Sequence, residues 1–198
     1  MRKLAVLTFV SLDGVMQAPG GKGEDPSGGF DLEGWTVPYF DDAVGSEMAK
    51  QMSQPFDLLL GRKTYEIFAT YWPNQGDDNP INKATKYVVS NEAINTEWEE
   101  TIQIDGDVVA AVEKLKQQDG PTLQVHGSSN LIQTLLANDL VDELWLKVFP
   151  VTLGRGKRLF GEGTMPAAFK LTESEILPNG VIIASYERDG EVRLGTFV

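Results

Sequence analysis

The chain has 198 residues, 41% of them hydrophobic, and 29 acidic residues against 17 basic give a formal net charge of −12. That length suits one core, so a single domain over 1–198 is expected, and so acidic a field opposes nucleic acid and anionic membrane surfaces as partners. With no cysteine and His126 the only histidine, disulfides, thiolate metal sites and thiol catalysis are excluded and no metal is expected.

No apolar run reaches membrane-spanning length and the opening MRKLAVLTFVSLDG turns polar too early for a signal peptide, which predicts a cytoplasmic protein. Residues 3–10 (KLAVLTFV) read as a strand ended by the turn Ser11-Leu12-Asp13-Gly14. A glycine-rich stretch to Pro38 reads as a long loop, the kind that carries function or moves. Phe40, Val44, Met48 and Met52 recur every four residues and predict an amphipathic helix closed by Pro55. Residues 56–60 form a buried strand that runs into Gly61 and a helix reaching about Tyr71, before Trp72-Pro73. Residues 86–90 read as a strand, 101–104 as a further one, and Val108, Ala111, Val112 and Leu115 as a helix. Residues 122–125 then form a strand meeting His126-Gly127-Ser128-Ser129 and a helix marked by Leu131, Leu135 and Leu136. The last third holds a strand over 144–151, a glycine and basic loop over 153–160, and a hairpin of 169–177 with 181–188 around Pro178-Asn179-Gly180.

Alternating strands and helices followed by consecutive strands predict an α/β fold with a mainly parallel sheet and an antiparallel edge. Two strand–glycine–helix junctions put free backbone N–H groups and positive helix ends at the carboxyl edge of that sheet, where α/β proteins bind ligands. Arg62 and Lys63 beside Thr64 supply cations at the first junction, and Ser128 or Ser129 a hydroxyl at the second. Either junction alone reads equally as a tight turn with a capping residue. Gly154-Arg155-Gly156 lacks the third glycine of a dinucleotide fingerprint, and Lys157 is followed by Arg158 where a P-loop needs serine or threonine.

The ordered set SLDG (11–14), LLLGRKTYE (58–66), YVVS (87–90), VHGSSNLIQTLL (125–136), LVDELWL (140–146) and PVTLGRGKRLF (150–160) resembles the dihydrofolate reductase superfamily, and within it the reductase domain of riboflavin biosynthesis. The resemblance implies a three-layer dihydrofolate reductase-like fold and an NADPH cofactor. It implies that Gly61, Arg62, Lys63 and Thr64 match the turn receiving the diphosphate, with the arginine near the adenosine 2′-phosphate. Ser90 and Asn91 match the strand end facing that phosphate, and Gly127, Ser128, Ser129 and Leu131 match the helix that closes over the diphosphate. Two cations with no acidic residue at the ribose position favour NADPH over NADH.

Asp13 stands at a strand end, where a carboxylate can bind a substrate amine or relay a proton, or simply form an Asp-Gly turn. Trp35, Tyr65, Trp72 and Phe160 are candidates for a flat heterocycle pocket, with core or lid packing as the alternative. Asp41 and Glu47 flank the apolar stripe of the first helix and are candidate proton donors, though neither aligns securely with the acid of folate reductases. Asp41 equally suits the helix dipole, and Glu47 a solvated face. His126 reads either as a contact to ribose or phosphate or as a structural histidine. Arg155, Lys157 and Arg158 read as a cationic substrate end for a ribityl phosphate or as a solvated basic turn.

The expected activity is NADPH-dependent reduction of a small nitrogen heterocycle or its ribosyl chain, most specifically the 5-amino-6-(5-phosphoribosylamino)uracil of the riboflavin pathway. The zinc deaminase domain to which that reductase is often fused is not expected, because its cysteine ligands are absent from this sequence. A dihydrofolate or pterin reductase and a non-catalytic NADPH-binding module are the alternatives. The apolar final strands predict a homodimer.

Overall fold

Leu58, Leu59 and Leu60 are all fully buried although neighbouring strand residues point to opposite faces. A strand apolar on both sides needs cover on both, and the computed structural model, which describes residues 1–197, supplies it. Strands β1 (Leu4–Ser11), β2 (Phe56–Gly61), β3 (Lys86–Val89), β4 (Thr101–Ile104), β5 (Thr122–Val125), β6 (Glu143–Phe149), β7 (Phe169–Ile176) and β8 (Ile182–Arg188) form one sheet in the order β4-β3-β2-β5-β1-β6-β8-β7. The first six strands in that order are parallel, and β8 and β7 add an antiparallel edge.

Helices α1 (Asp42–Gln51), α2 (Arg62–Tyr71), α3 (Pro80–Lys83), α4 (Val108–Gln117) and α5 (Ser129–Ala137) make the outer layers. The β1-to-β2 and β2-to-β3 connections run one way across the sheet, and the β4-to-β5 and β5-to-β6 connections run back. Right-handed crossovers therefore place α1 and α2 on one face and α4 and α5 on the other. The packing agrees. Leu59 joins Leu123, Val125, Val112 and Leu135 in the core under α4 and α5, whereas Leu58 and Leu60 join Tyr65 and Val88 under α2. A third cluster under α1 gathers Val44, Phe149 and Ile183 with Val15, Phe30 and Trp35 from the long loop.

The first helix begins later than its apolar stripe predicts. Phe40 lies outside it in extended backbone and is 48% exposed, because Asp41 accepts from the Ala43 and Val44 amides at 3.1 Å each and so fixes the helix start. The strand expected over 144–151 ends at Phe149, and the short α3 was not expected. The long loop is folded, with 3₁₀ turns at Ser27–Gly29 and Val37–Tyr39, and Trp35 donates to the Gln17 carbonyl at 2.8 Å.

Candidate functional site

The two glycine junctions meet. The Gly61 amide donates to Ser128 Oγ at 2.9 Å, and that hydroxyl donates to Thr64 Oγ1 at 2.7 Å. Ser128 holds φ +64 at the entry of α5 and makes no capping bond to its own helix; its side chain ties α5 to α2 instead. The approach is close enough to demand glycine, since a Cβ on Gly61 would lie 2.6 Å from Ser128 Oγ and 2.9 Å from its Cβ. The first-turn amides of both helices have no intrahelical acceptor, and the Thr64 hydroxyl proton ends a polarised donor chain with no acceptor among the described residues. Arg62 and Lys63 stand in the first turn of α2, Ser129 in that of α5. Together these groups make a cradle of donors at the carboxyl edge between β2 and β5, suited to a diphosphate.

The outer end of the cradle is less cationic than the sequence suggests. Arg62 lies 3.1 Å from Glu92 and 3.5 Å from Glu66, so the arginine is not free of acidic neighbours as the sequence suggests. The Ser90 hydroxyl donates to the Glu92 carbonyl at 2.6 Å and accepts the Glu92 amide at 3.1 Å, shaping the turn after β3. Asn91 is exposed and accepts from the Gly106 amide. Leu131 of α5 is a core residue, 6% exposed, and its Cβ lies 3.9 Å from where a Cβ on Gly61 would stand. Lys63 reaches Asp25 of the long loop at 3.9 Å, and Asp25 also binds Lys157 at 2.6 Å.

The Asp13 carboxylate is engaged within the protein. Oδ1 accepts from Ser11 Oγ at 2.6 Å and the Leu153 amide at 3.0 Å, Oδ2 accepts from the Gly154 amide at 2.8 Å, and Arg158 lies 3.6 Å away. The Ser11 hydroxyl has the largest effect and, together with the two amides, outweighs burial to hold this carboxyl at about 2. Asp13 is thus a clamp joining the end of β1 to the basic loop. The cations of that loop are likewise paired, Arg155 with Asp31, Lys157 with Asp25 and Arg158 with Asp13. Arg155 and Lys157 border a cleft of about 280 Å³ with Gln17, Ser27 and Phe30.

Residues 2–183 match the RibD C-terminal domain family. The chain belongs to that family. It is 30% identical over 149 residues to the uncharacterized protein YyaP of Bacillus subtilis, covering 70% of this chain and 77% of that one, and 27% identical over 173 residues to YwjB of the same organism, covering 86% and 89%. Its fold is shared with a protein assigned to riboflavin biosynthesis from Shewanella sp. PV-4 (22% identity, TM-score 0.65, 94% and 99% covered). It is shared also with a pyrimidine reductase-like protein from Corynebacterium diphtheriae (14%, 0.65, 96% and 93%). A third is a dihydrofolate reductase from Enterococcus faecalis solved with NADP(H) and RAB-propyl (16%, 0.61, 94% and 96%). The dihydrofolate reductase-like fold implied by the six motifs is therefore the fold of this RibD C-terminal domain.

The aromatic candidates do not converge on one pocket in this family member. Trp35 packs edge-on against Phe149, and Tyr65 is 2% exposed, donating to the Asn95 carbonyl and stacking on Trp98. Trp72 packs on Phe68 and Tyr71, while Phe160 borders a separate apolar cleft of about 320 Å³ near Leu136 and Met165. Asp41 is corrected as well: it is the α1 cap and also accepts from Asn179. His126 bonds Gln124 at 2.8 Å between the Phe56 and Phe68 rings, and burial, aided by Lys147, lowers its pKa to about 3. It is a neutral histidine on the α1 and α2 face.

Glu47 also faces inward, with its side chain 13% exposed, and its charge acts on Lys147 of β6. Around it lies a polar patch in which Gln124 donates to the Gln51 carbonyl at 3.1 Å and Lys147 donates to Gln51 Oε1. Sequence reasoning passed over Gln51, Gln124 and Lys147. The available signal was strand period two: Lys147 alternates onto the face of Trp145 and Phe149, and Gln124 onto that of His126, where an apolar residue is the rule. Among the described residues no cluster of three metal-ligating side chains forms, and no helix is long and apolar enough to cross a membrane.

Proposed function

We propose that this RibD C-terminal domain is an NADPH-dependent reductase of a small nitrogen heterocycle or its ribosyl chain, with the phosphoribosylamino-pyrimidine of riboflavin synthesis as the specific substrate. The observation that carries the reading is the Ser128 tie, which sets the amino ends of α2 and α5 side by side at the carboxyl edge of the sheet. The donors fit a dinucleotide: the paired helix ends with the Thr64 and Ser129 hydroxyls would hold its diphosphate, and Arg62 and Lys63 the 2′-phosphate. When bound, the cofactor supplies the hydride. The chain's task is to orient the acceptor on the α1 and α2 face of the sheet, exclude water there and present a proton.

Binding NADPH requires Arg62 to exchange Glu92, whose side chain is 72% exposed, for the phosphate. The same contact favours a second reading, in which Glu92 receives the ribose hydroxyls of NADH. Titration of both dinucleotides separates them. Arg62→Ala is expected to weaken NADPH about tenfold or more and NADH little, whereas Glu92→Gln is expected to tighten NADPH. Unchanged NADPH affinity in Arg62→Ala would remove the proposed cofactor placement. Turnover is read from NADPH oxidation over folate, pterin and riboflavin-pathway substrates, and binding without oxidation on all three would favour a non-catalytic module. A homodimer is part of the proposal, but not through pairing of the apolar strands LWLKVFPV and VIIASY, which are the interior strands β6 and β8; it is supported instead by Leu171 and Ile176, 49% and 77% exposed on the edge strand β7.

A further inference from the structure

The last two strands of the sheet are dressed differently on their two faces. Register sets Tyr186, Ala184 and Ile182 of β8 beside Leu144, Leu146 and Val148 of β6, and Leu171, Ser174 and Ile176 of β7 beside the same three residues of β8. All share the face of α4 and α5, because Leu144 and Leu146 belong to the core under those helices. The charges alternate onto the opposite face, which carries Lys170, Glu173, Glu175 and Glu187, and there Lys50 of α1 reaches Glu173 at 2.5 Å.

On the α4 and α5 face Leu171, Ile176 and Ile182 stand exposed, and past Phe169 the apolar surface runs on through Phe160, Met165 and Val192 at the cleft of about 320 Å³. Exposed apolar side chains scattered singly are ordinary, whereas a contiguous set marks a contact surface. Within the two strands Arg188 is the only charged side chain on this face, and Asp139 neutralises it through bonds of 2.8 and 3.2 Å. A molecule of net charge −12 thus keeps one neutral apolar face. A basic partner is drawn to the acidic surfaces elsewhere, but a second copy, bearing the same charge, meets the least repulsion here.

The relief of the face also suits its own copy. Ser174 and Ala184 form a waist of small side chains between two ridges, Leu171 with Tyr186 and Ile176 with Ile182. Pairing of the β7 backbone edges is the poorer contact, since the register shift between Leu171 and Glu173 interrupts the ladder and Lys170, Glu173 and Glu175 line it with charge. We propose that this face docks on the same face of a second copy, across a two-fold axis that crosses the strands at the waist. Each Leu171 ridge then meets the partner's Ile176 ridge, and the two Ser174 side chains face each other. The docking rests on the homodimer of the proposed function and gives it a surface.

The chain has no cysteine, so one introduced thiol reports its own surroundings. Ser174→Cys is expected to give a covalent dimer with bismaleimidoethane at concentrations where Glu175→Cys, on the other face, gives none. By gel filtration with light scattering the full chain is expected to run as a dimer, and Ile176→Glu as a monomer with the dissociation constant raised about a hundredfold or more. Ile176 lies outside the core, and the cross-link needs no destabilising change, so neither readout hangs on a variant that fails to fold. Removing residues 193–198 is expected to leave the dimer intact. A monomeric parent removes the homodimer and this surface together. A dimer that survives Ile176→Glu, or equal cross-linking through the two thiols, keeps the homodimer and overturns the surface, and a dimer lost with residues 193–198 overturns it in favour of the tail. None of these measurements involves NADPH, so the reductase reading stands or falls separately.

Discussion

Asp13 shows how a residue that looks chemical in sequence becomes mechanical in space. Its pKa of about 2 lies below the ordinary carboxylate value near 4, so between those values the unfolded chain binds the proton more readily. The clamp is thus fully present above about pH 4 and is lost as pH falls through about 2. Melting temperatures of the parent and Asp13→Asn are expected to differ most near pH 6 and to converge toward pH 2; a constant difference would count against the clamp. Gly61→Ala is expected to cost about 1–3 kcal/mol, because the new methyl meets Ser128 Oγ and Cβ. Adding Ser128→Gly should restore much of the loss, since it removes both atoms and suits φ +64, and denaturant melts of the single and double variants measure this.

At the level of elements, Asp41 belongs to α1 as its cap, and Asp41→Ala is expected to lower stability by about 1 kcal/mol with NADPH affinity unchanged, checked by urea melts and titration. The strand–glycine–helix units around Gly61 and Gly127 were legible because turn chemistry and apolar periodicity are local signals. The fact that they touch was not, because it depends on β5 lying beside β2 across 67 residues of chain. The same limit hid Glu92 beside Arg62 and the carboxylates that neutralise the 153–160 loop. Phe40 misled for another reason: the four-residue stripe included it, but the Asp41 cap starts the helix after it. The buried patch at Gln51, Gln124 and Lys147 was readable only once strand faces were known, as each residue alone looks like an ordinary polar position.

For the whole molecule, a ligand that binds only the folded state stabilises it by mass action, about 2.7 kcal/mol at a hundredfold excess over Kd. Saturating NADPH is therefore expected to raise the melting temperature clearly in the parent and much less in Arg62→Ala, by scanning calorimetry. The proposed homodimer predicts a gel-filtration mass near twice the 21.8 kDa of the chain. The strand order also governs how the protein is made. Among the described strands β1 pairs with β5 and β6, so it has no partner during synthesis until residues 122–125 have emerged. Its apolar residues Leu4, Val6 and Val10 must wait while more than a hundred further residues are made. Nascent chains stalled before residue 122 should therefore expose this segment to chaperones and proteases, and protection should arrive as one late, cooperative event.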